Sequence, residues 1–376
     1  MIIKEIELNN YRNYEKLKLK FNKNINIIIG DNAQGKTNIL EAIYFLSVTK
    51  SYRTNYEENL IKQGTDYFKI KASIKNKNIP KRLEVLFNKT QKSFFINKEK
   101  VKKMASYIGN FNVINITPED IEILKGSPSI RRNIINIELS QIYEKYIEIY
   151  NEYNKLLKIR NDYLKELMTN SIADDRYLDI ITEKLIERAV YIYQIRKEFI
   201  DSINERINVI FEDITNIKNL KIDYQTNIGI EVFEKEEISK KMKFIFHKYN
   251  QKEISLGMTI YGPHRDDFIF NLDTNNIRYF GSQGQQKLAI ISFKLCLLDI
   301  YKEKIGSVPV LLLDDIFSEL DKKRKNKLID YINHAGQVII TTNDIRDINR
   351  KKLNEVKIFE IKNKKIIEKG DKNGKW

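Results

Sequence analysis

Eight consecutive residues constrain this chain more than any others: Gly30-Asp31-Asn32-Ala33-Gln34-Gly35-Lys36-Thr37. They follow the β-branched run Ile25-Asn26-Ile27-Ile28-Ile29, which reads as a buried strand, and they open a helix expected from Lys36 to about Leu46. A glycine, four residues, then Gly-Lys-Thr between a strand and a helix is the phosphate-loop pattern. Its glycines let the backbone turn until successive N–H groups point at phosphate oxygens, and the helix adds the positive end of its dipole. Lys36 is then placed to bridge β- and γ-phosphates and Thr37 to hold Mg²⁺. The whole stretch, Gly30, Asp31, Asn32, Ala33, Gln34, Gly35, Lys36 and Thr37, predicts a site for ATP with Mg²⁺.

A phosphate loop needs acidic partners. Val310-Leu311-Leu312-Leu313-Asp314-Asp315 is an apolar strand that ends in two carboxylates. Asp314 is expected to hold the Mg²⁺ hydration shell. Asp315 is expected to orient or deprotonate an attacking water, which makes Asp315 and Lys36 the expected catalytic residues. Paired acids after a strand can also be plain solvated loop residues, and only the phosphate loop elsewhere in the chain favours the site reading.

Ser282-Gln283-Gly284-Gln285-Gln286 lies about 30 residues before the acids. Read alone it is a polar loop ahead of a helix. Its position resembles that of the signature loop of ABC-type ATPases, where a serine hydroxyl, a glycine N–H and a helix N-terminus face the γ-phosphate held by another copy. Ser282, Gln283, Gly284 and Gln285 are therefore expected to act in trans. Ser318-Glu319-Leu320-Asp321 and Thr341-Thr342-Asn343-Asp344 follow the two apolar strands, where such enzymes carry an interface loop and a switch residue.

The chain has 376 residues, enough for two or three domains. Alternating patterns near 2–21, 68–75, 81–88 and 92–96 predict strands, with Asn97-Lys98 as a turn. After Pro118 the pattern becomes helical. Ile142, Tyr146, Ile149, Tyr153, Leu156, Tyr163 and Leu167 share one stripe of a helix expected from about Ser129 to Met168. Leu178, Ile181, Leu185, Ile192, Ile195 and Phe199 share another, with a break at Asn170 to Asp174. Strand and helix alternate again from about residue 254, and the Lys-rich tail from Ile361 reads as loose. The expectation is an α/β domain made of 1–118 and 254–376, split by a mainly helical lobe, 119–253, built on an antiparallel long-helix hairpin.

The formal net charge of +15 favours a polyanion such as DNA or an anionic surface. The same charge also follows from a compositional bias toward Lys, Ile and Asn. Arg131 and Arg132, with Lys102 and Lys103, are the candidate phosphate contacts, and Lys322 to Lys327 form a further basic cluster. The lone Cys296 excludes an internal disulfide and suits a small buried residue. No apolar run approaches the ~20 residues of a membrane span, so a cytoplasmic protein is expected. His264 beside Asp266 and Asp267 has too few companion histidines for a metal site and reads as a structured turn.

Taken together, these stretches resemble the RecF family of bacterial recombination mediators. The resemblance rests on Asn10-Tyr11-Arg12-Asn13-Tyr14, Gln34 to Ala42, Thr117-Pro118-Glu119-Asp120, Lys125-Gly126-Ser127-Pro128, Arg131-Arg132, Gly262-Pro263-His264-Arg265-Asp266-Asp267-Phe268 and Gly281 to Gln286. The chain departs from the family pattern at Ala33, Lys287 and Asn343, where Gly, Arg and Thr or His are usual. The resemblance implies an ABC/SMC-head-type ATPase fold without a long coiled coil. It implies an ATP-dependent homodimer that binds single-stranded or gapped DNA and works with RecR- and RecO-type mediators to support recombinase loading. Replication restart and the SOS response come with the same family, and slow ATP hydrolysis would serve as the switch. An SMC-like or transporter-type ATPase subunit with no repair role is the alternative.

Overall fold

The computed structural model describes residues 1–169, 175–362 and 365–369. Two compact units share the chain: 1–121, 209–217 and 287–376 in one, 122–208 and 218–286 in the other.

The first unit holds two six-stranded sheets. One is antiparallel, in the order Tyr14–Lys20, Ile2–Tyr11, Phe68–Asn76, Ile79–Phe87, Lys92–Ile96, Glu99–Lys100. Its strands alternate buried and half-buried residues, as a sheet with one covered face requires. Phe68 packs edge-on against Tyr11 and against Phe45 of the helix Lys36–Val48, at ring separations of 5.4 and 5.6 Å. Asn97 and Lys98 both take positive φ, and so form the tight turn that their sequence suggests.

The other sheet runs Lys365–Lys369, Val356–Lys362, Ile25–Ile29, Val338–Thr342, Val310–Asp314, Val113–Ile116. All its neighbours are parallel except the edge strand Lys365–Lys369. Val310–Asp314 and Val338–Thr342 are buried at every position, which is why they read as continuous apolar runs. Asp314 pairs with Thr341, and Thr341 pairs with Ile28. One row across the sheet thus brings the ends of three strands together. In parallel sheets that carboxyl-terminal edge is where ligands bind.

The second unit contains the helices Pro128–Ile142, Tyr146–Thr169 and Lys235–Leu256, most of Asp175–Thr215, and a three-stranded sheet of Asn275–Asn276, Asp267–Leu272 and Leu220–Gln225. Tyr146–Thr169 and Asp175–Thr215 run antiparallel. Tyr163 meets Tyr177, Arg160 meets Thr182, Glu152 meets Arg188 and Tyr146 meets Arg196, so each step back along one helix matches a step forward along the other. Arg160 also pairs with the buried Glu253 at 2.7 Å, tying the hairpin to Lys235–Leu256.

Three sequence expectations change. The helix expected from Ser129 to Met168 is two helices. Tyr143 leaves the first in an extended conformation, and the fully buried Tyr146 donates its hydroxyl to Asn136 Oδ1 at 2.7 Å. No Pro or Gly marks that break, because tertiary packing makes it. The return from the helical lobe falls at 287 instead of 254, because Asp267–Leu272 pairs with Leu220–Gln225. The lobe begins at 122 instead of 119, and 209–217 groups with the first unit, where Asp213 accepts from Lys327 at 2.5 Å. The expected break at Asn170 to Asp174 and the end of the tail, 370–376, lie outside the described residues.

Candidate nucleotide-binding site

The loop Gly30 to Thr37 leaves the central strand Ile25–Ile29 and enters the helix Lys36–Val48. Gly35 has φ 103°, and a Cβ there would lie 2.6 Å from Asn13 Nδ2 and 2.7 Å from the Tyr14 hydroxyl. No other residue meets both demands. Ala33 takes φ 63°, a left-handed conformation that costs a non-glycine residue about 1 kcal/mol. No side chain caps the helix N-terminus, so its leading N–H groups remain available to an anion.

Lys36 Nζ donates to the carbonyls of Gly30 (2.6 Å) and Asp31 (2.9 Å) and to Asn343 Oδ1 (2.7 Å). Burial lowers its pKa, against the opposing pull of Asp315, Asp314 and Asp31. Asp314 Oδ1 accepts from Thr37 Oγ1 at 3.0 Å and from Thr341 Oγ1 at 2.6 Å. Burial raises the Asp314 pKa, and these two hydroxyls partly offset it. Asp315 sits at φ 49°, where its N–H donates to the Thr341 carbonyl and its Oδ2 accepts from Asn343 Nδ2 at 3.2 Å. Asp315 Oδ1 is buried with no hydrogen-bond partner, and burial raises this carboxyl too. Loop, lysine, threonine and both acids therefore meet at one edge of one sheet.

A second layer supports the loop, and sequence reading had given it no role at the site. Asn13 Nδ2 and the Tyr14 hydroxyl each donate to the Gln34 carbonyl at 3.4 Å. Arg12 grips Glu41 bidentately at 2.8 and 2.6 Å, and Glu41 is fully buried in the helix behind the loop. Arg53 donates to Asn38 Oδ1, and Asn38 donates to Asn13 Oδ1. The available signal was the tyrosine- and asparagine-rich Asn10 to Tyr14, whose spacing alone carries no chemistry.

Ser282 to Gln285 belong to the second unit, at the start of Gln283–Ile305. Ser282 Oγ accepts from the Gln285 N–H (3.2 Å), and Gln285 Oε1 accepts from the Ser282 N–H (2.8 Å). This reciprocal pair is a capping box. The buried Gln286 donates to the carbonyls of Ile277, Arg278 and Gly281, which fixes the loop to the short helix before it.

One candidate DNA contact points inward. Arg131 is 5% exposed, bidentate to Asp267 at 2.6 and 2.8 Å, and bonded to the carbonyls of Ile123 and Gly126. Its guanidinium is thus engaged within the second unit and turned away from solvent. Arg132 is half-buried and donates to the Asp266 carbonyl at 2.7 Å, while Lys102 and Lys103 are exposed. The nearby turn is a buried polar network. Asp266 accepts from Tyr224 (2.7 Å) and the Asn227 N–H (3.0 Å) and faces the fully buried Arg196 at 3.4 Å. His264 Nε2 donates to the Thr259 carbonyl, so Nδ1 accepts from Tyr153 at 2.6 Å. Burial lowers the His264 pKa to about 4 and raises that of Asp266 to about 6. Among the described residues no group of three or more His, Cys, Asp or Glu could hold a metal ion.

The model of the RecF/RecN/SMC N-terminal domain matches residues 2–366. The DNA replication and repair protein RecF of Bacillus pumilus is 37% identical over 372 residues, covering 98% of this chain and all of that one. The chain belongs to the RecF family. RecF of Bacillus thuringiensis (strain Al Hakam) is 38% identical over 365 residues, 96% of this chain and 97% of its own. A solved structure of the recombination mediator RecF with ATP, in the RecFOR pathway, superposes with a TM-score of 0.90 at 32% identity, covering 98% of this chain and 97% of that one. An Smc head bound to the C-terminal winged-helix domain of ScpA matches at a TM-score of 0.56 and 15% identity, a likeness of fold alone. The RecF-family fold is thus an ABC/SMC-type ATPase head of mixed helix and sheet. Among the described residues no helix is long and apolar enough to cross a membrane.

Proposed function

We propose that this chain is an ATP-dependent DNA-binding protein of recombinational repair. ATP held at Gly30 to Thr37 would join two copies over single-stranded or gapped DNA, and slow hydrolysis would release them. The observation that carries this reading is the meeting of Thr37, Asp314 and Lys36 at the edge of the parallel sheet, in a chain whose RecF relative has been solved with ATP. DNA repair and replication follow from the family, with replication restart and the SOS response as the setting, RecR- and RecO-type mediators as partners and the cytoplasm as the place.

The roles follow from the chemistry of each side chain. Lys36 exchanges its two carbonyl acceptors for phosphate oxygens, to which an ammonium binds more strongly. The N–H groups of the loop and the uncapped helix hold the rest of the phosphate chain. Thr37 Oγ1 and Asp314 Oδ1 are hard oxygen donors 3.0 Å apart, a set that fits Mg²⁺. When bound, that ion neutralises charge between the phosphates. The Asp315 carboxylate would accept a proton from water, and its raised pKa makes it a stronger base. Ser282 would leave its cap to reach the γ-phosphate held by the partner copy.

Substituting Lys36→Ala tests the reading. Binding of a fluorescent ATP analogue should be lost while the fold, followed by circular dichroism, persists. Unchanged nucleotide binding would remove the basis of the proposal.

A further inference from the structure

The helix Lys235–Leu256 buries Ile238, Met242, Phe246 and Glu253 against its own unit. Its other side is unusual. From Ile238 to Lys252 the sequence carries five lysines and one histidine and no acid, in a chain that has 51 acidic residues. Lys241, Phe244, Lys248 and Lys252 recur at spacings of three and four and form one exposed stripe, and Phe244 is 59% exposed. Lys240 pairs with Glu237 at 2.9 Å. Lys241, Lys243, Lys248 and Lys252 pair with no carboxylate among the described residues.

Aromatic rings are interleaved with these charges. Lys248 Nζ lies 5.8 Å from the Phe244 ring centroid and 5.3 Å from that of Tyr249. Tyr249 in turn packs on Tyr261, with centroids 4.7 Å apart. A solvated charge run needs no exposed phenylalanine at its centre. We infer that this stripe, Lys241-Phe244-Lys248-Lys252, is a contact surface for single-stranded nucleic acid. The lysines neutralise successive phosphates, and Phe244 stacks on a base.

Two physical points favour a single strand over other polyanions. Bases in a duplex are already stacked on one another, so an exposed ring gains little there, whereas every unpaired base offers a free face. An anionic membrane would need a broad apolar face, and the apolar face of this helix is already buried. From Lys241 to Lys252 the stripe spans about 16 Å at 1.5 Å per residue, room for several nucleotides. The inference rests on the DNA-binding reading above and adds to it where a strand is held.

The test uses the full chain and a fluorescently labelled oligodeoxythymidine, with a duplex of equal length and anionic vesicles as further arms. The triple variant Lys241→Gln, Lys248→Gln, Lys252→Gln should bind the single strand about tenfold more weakly, with a salt slope shallower by about 2. Phe244→Ala should lose about tenfold on the single strand and little on the duplex. All four positions are exposed, so nucleotide binding should not change. Wild-type affinity and salt slope in the triple variant would overturn the assignment, as would loss of vesicle binding with strand binding intact. If the unaltered protein binds no DNA at all, the functional proposal falls together with this surface. If it does bind and the triple variant matches it, only the surface falls.

Discussion

Lys36 and Asn343 are joined by a 2.7 Å hydrogen bond, and the other end of the same amide donates to Asp315. One side chain thus links the phosphate-loop lysine to the acid expected to act on water. Asparagine can do this because its amide carries an acceptor and a donor. The RecF family usually has Thr or His at this position. Threonine and histidine also each offer a donor and an acceptor.

The first prediction follows from that bridge. Asn343→Leu should keep nucleotide affinity, because Lys36 is released from a competing acceptor. Turnover should fall about tenfold or more, because Asp315 loses the donor that orients it. Asn343→His should restore turnover. Phosphate release measured beside nucleotide affinity separates the effects, and equal turnover in the leucine and histidine variants would refute the bridge.

Ser282 has a structural duty as a helix cap, so Ser282→Ala confounds two losses. Removing a cap costs about 1 kcal/mol. Ser282→Asp is the sharper variant, because aspartate caps as well as serine yet opposes a phosphate. We expect near wild-type melting and intact nucleotide binding by the monomer, with ATP-dependent dimerisation lost. Light scattering that shows a normal dimer with ATP would exclude a trans role for this loop.

Asp266→Leu should destabilise the second unit severely, because the Tyr224 hydroxyl, the Asn227 N–H and the Arg196 guanidinium would all lose their acceptor. The fully buried Arg196 would lose its only carboxylate counter-charge among its described partners. Breaking a buried ion pair from one side costs about 3–5 kcal/mol. Urea unfolding would read this directly, and a change below about 1 kcal/mol would show that Pro263 and Asn136 suffice to hold the guanidinium.

The same turn sets a pH dependence. His264 is lowered from 6.5 to about 4, so by itself it withdraws stability as pH falls through that window. Asp266 is raised from 3.8 to about 6, so by itself it withdraws stability as pH rises through its window. Between about 4 and 6 the unfolded chain carries its proton on His264 and the native protein on Asp266, and the two slopes cancel. His264→Gln should remove the cancellation. Stability of that variant should rise by about 1–2 kcal/mol relative to wild type as pH falls across this range. Melting curves that stay parallel for the two proteins would contradict the assignment.

The parts of the candidate site are legible because each is local. Gly30 to Thr37 is one uninterrupted segment whose glycines and helix start are dictated by backbone geometry, and the acids after Leu313 end one apolar strand. The surroundings of Arg131 are illegible for the opposite reason. An arginine at the start of a helix looks solvated in sequence, and only the fold reveals Asp267 136 residues away as its partner.

The sequence by itself determined the phosphate loop, the buried parallel strands and the antiparallel helices, since each depends on backbone conformation and on periodicity within one segment. Tertiary structure decided where the second unit begins and ends, which arginines are buried, and that Asn343 stands between Lys36 and Asp315. Those depend on pairings between residues far apart in the chain. Local propensity carries no information about such pairings, because their energy arises only when distant side chains are desolvated together.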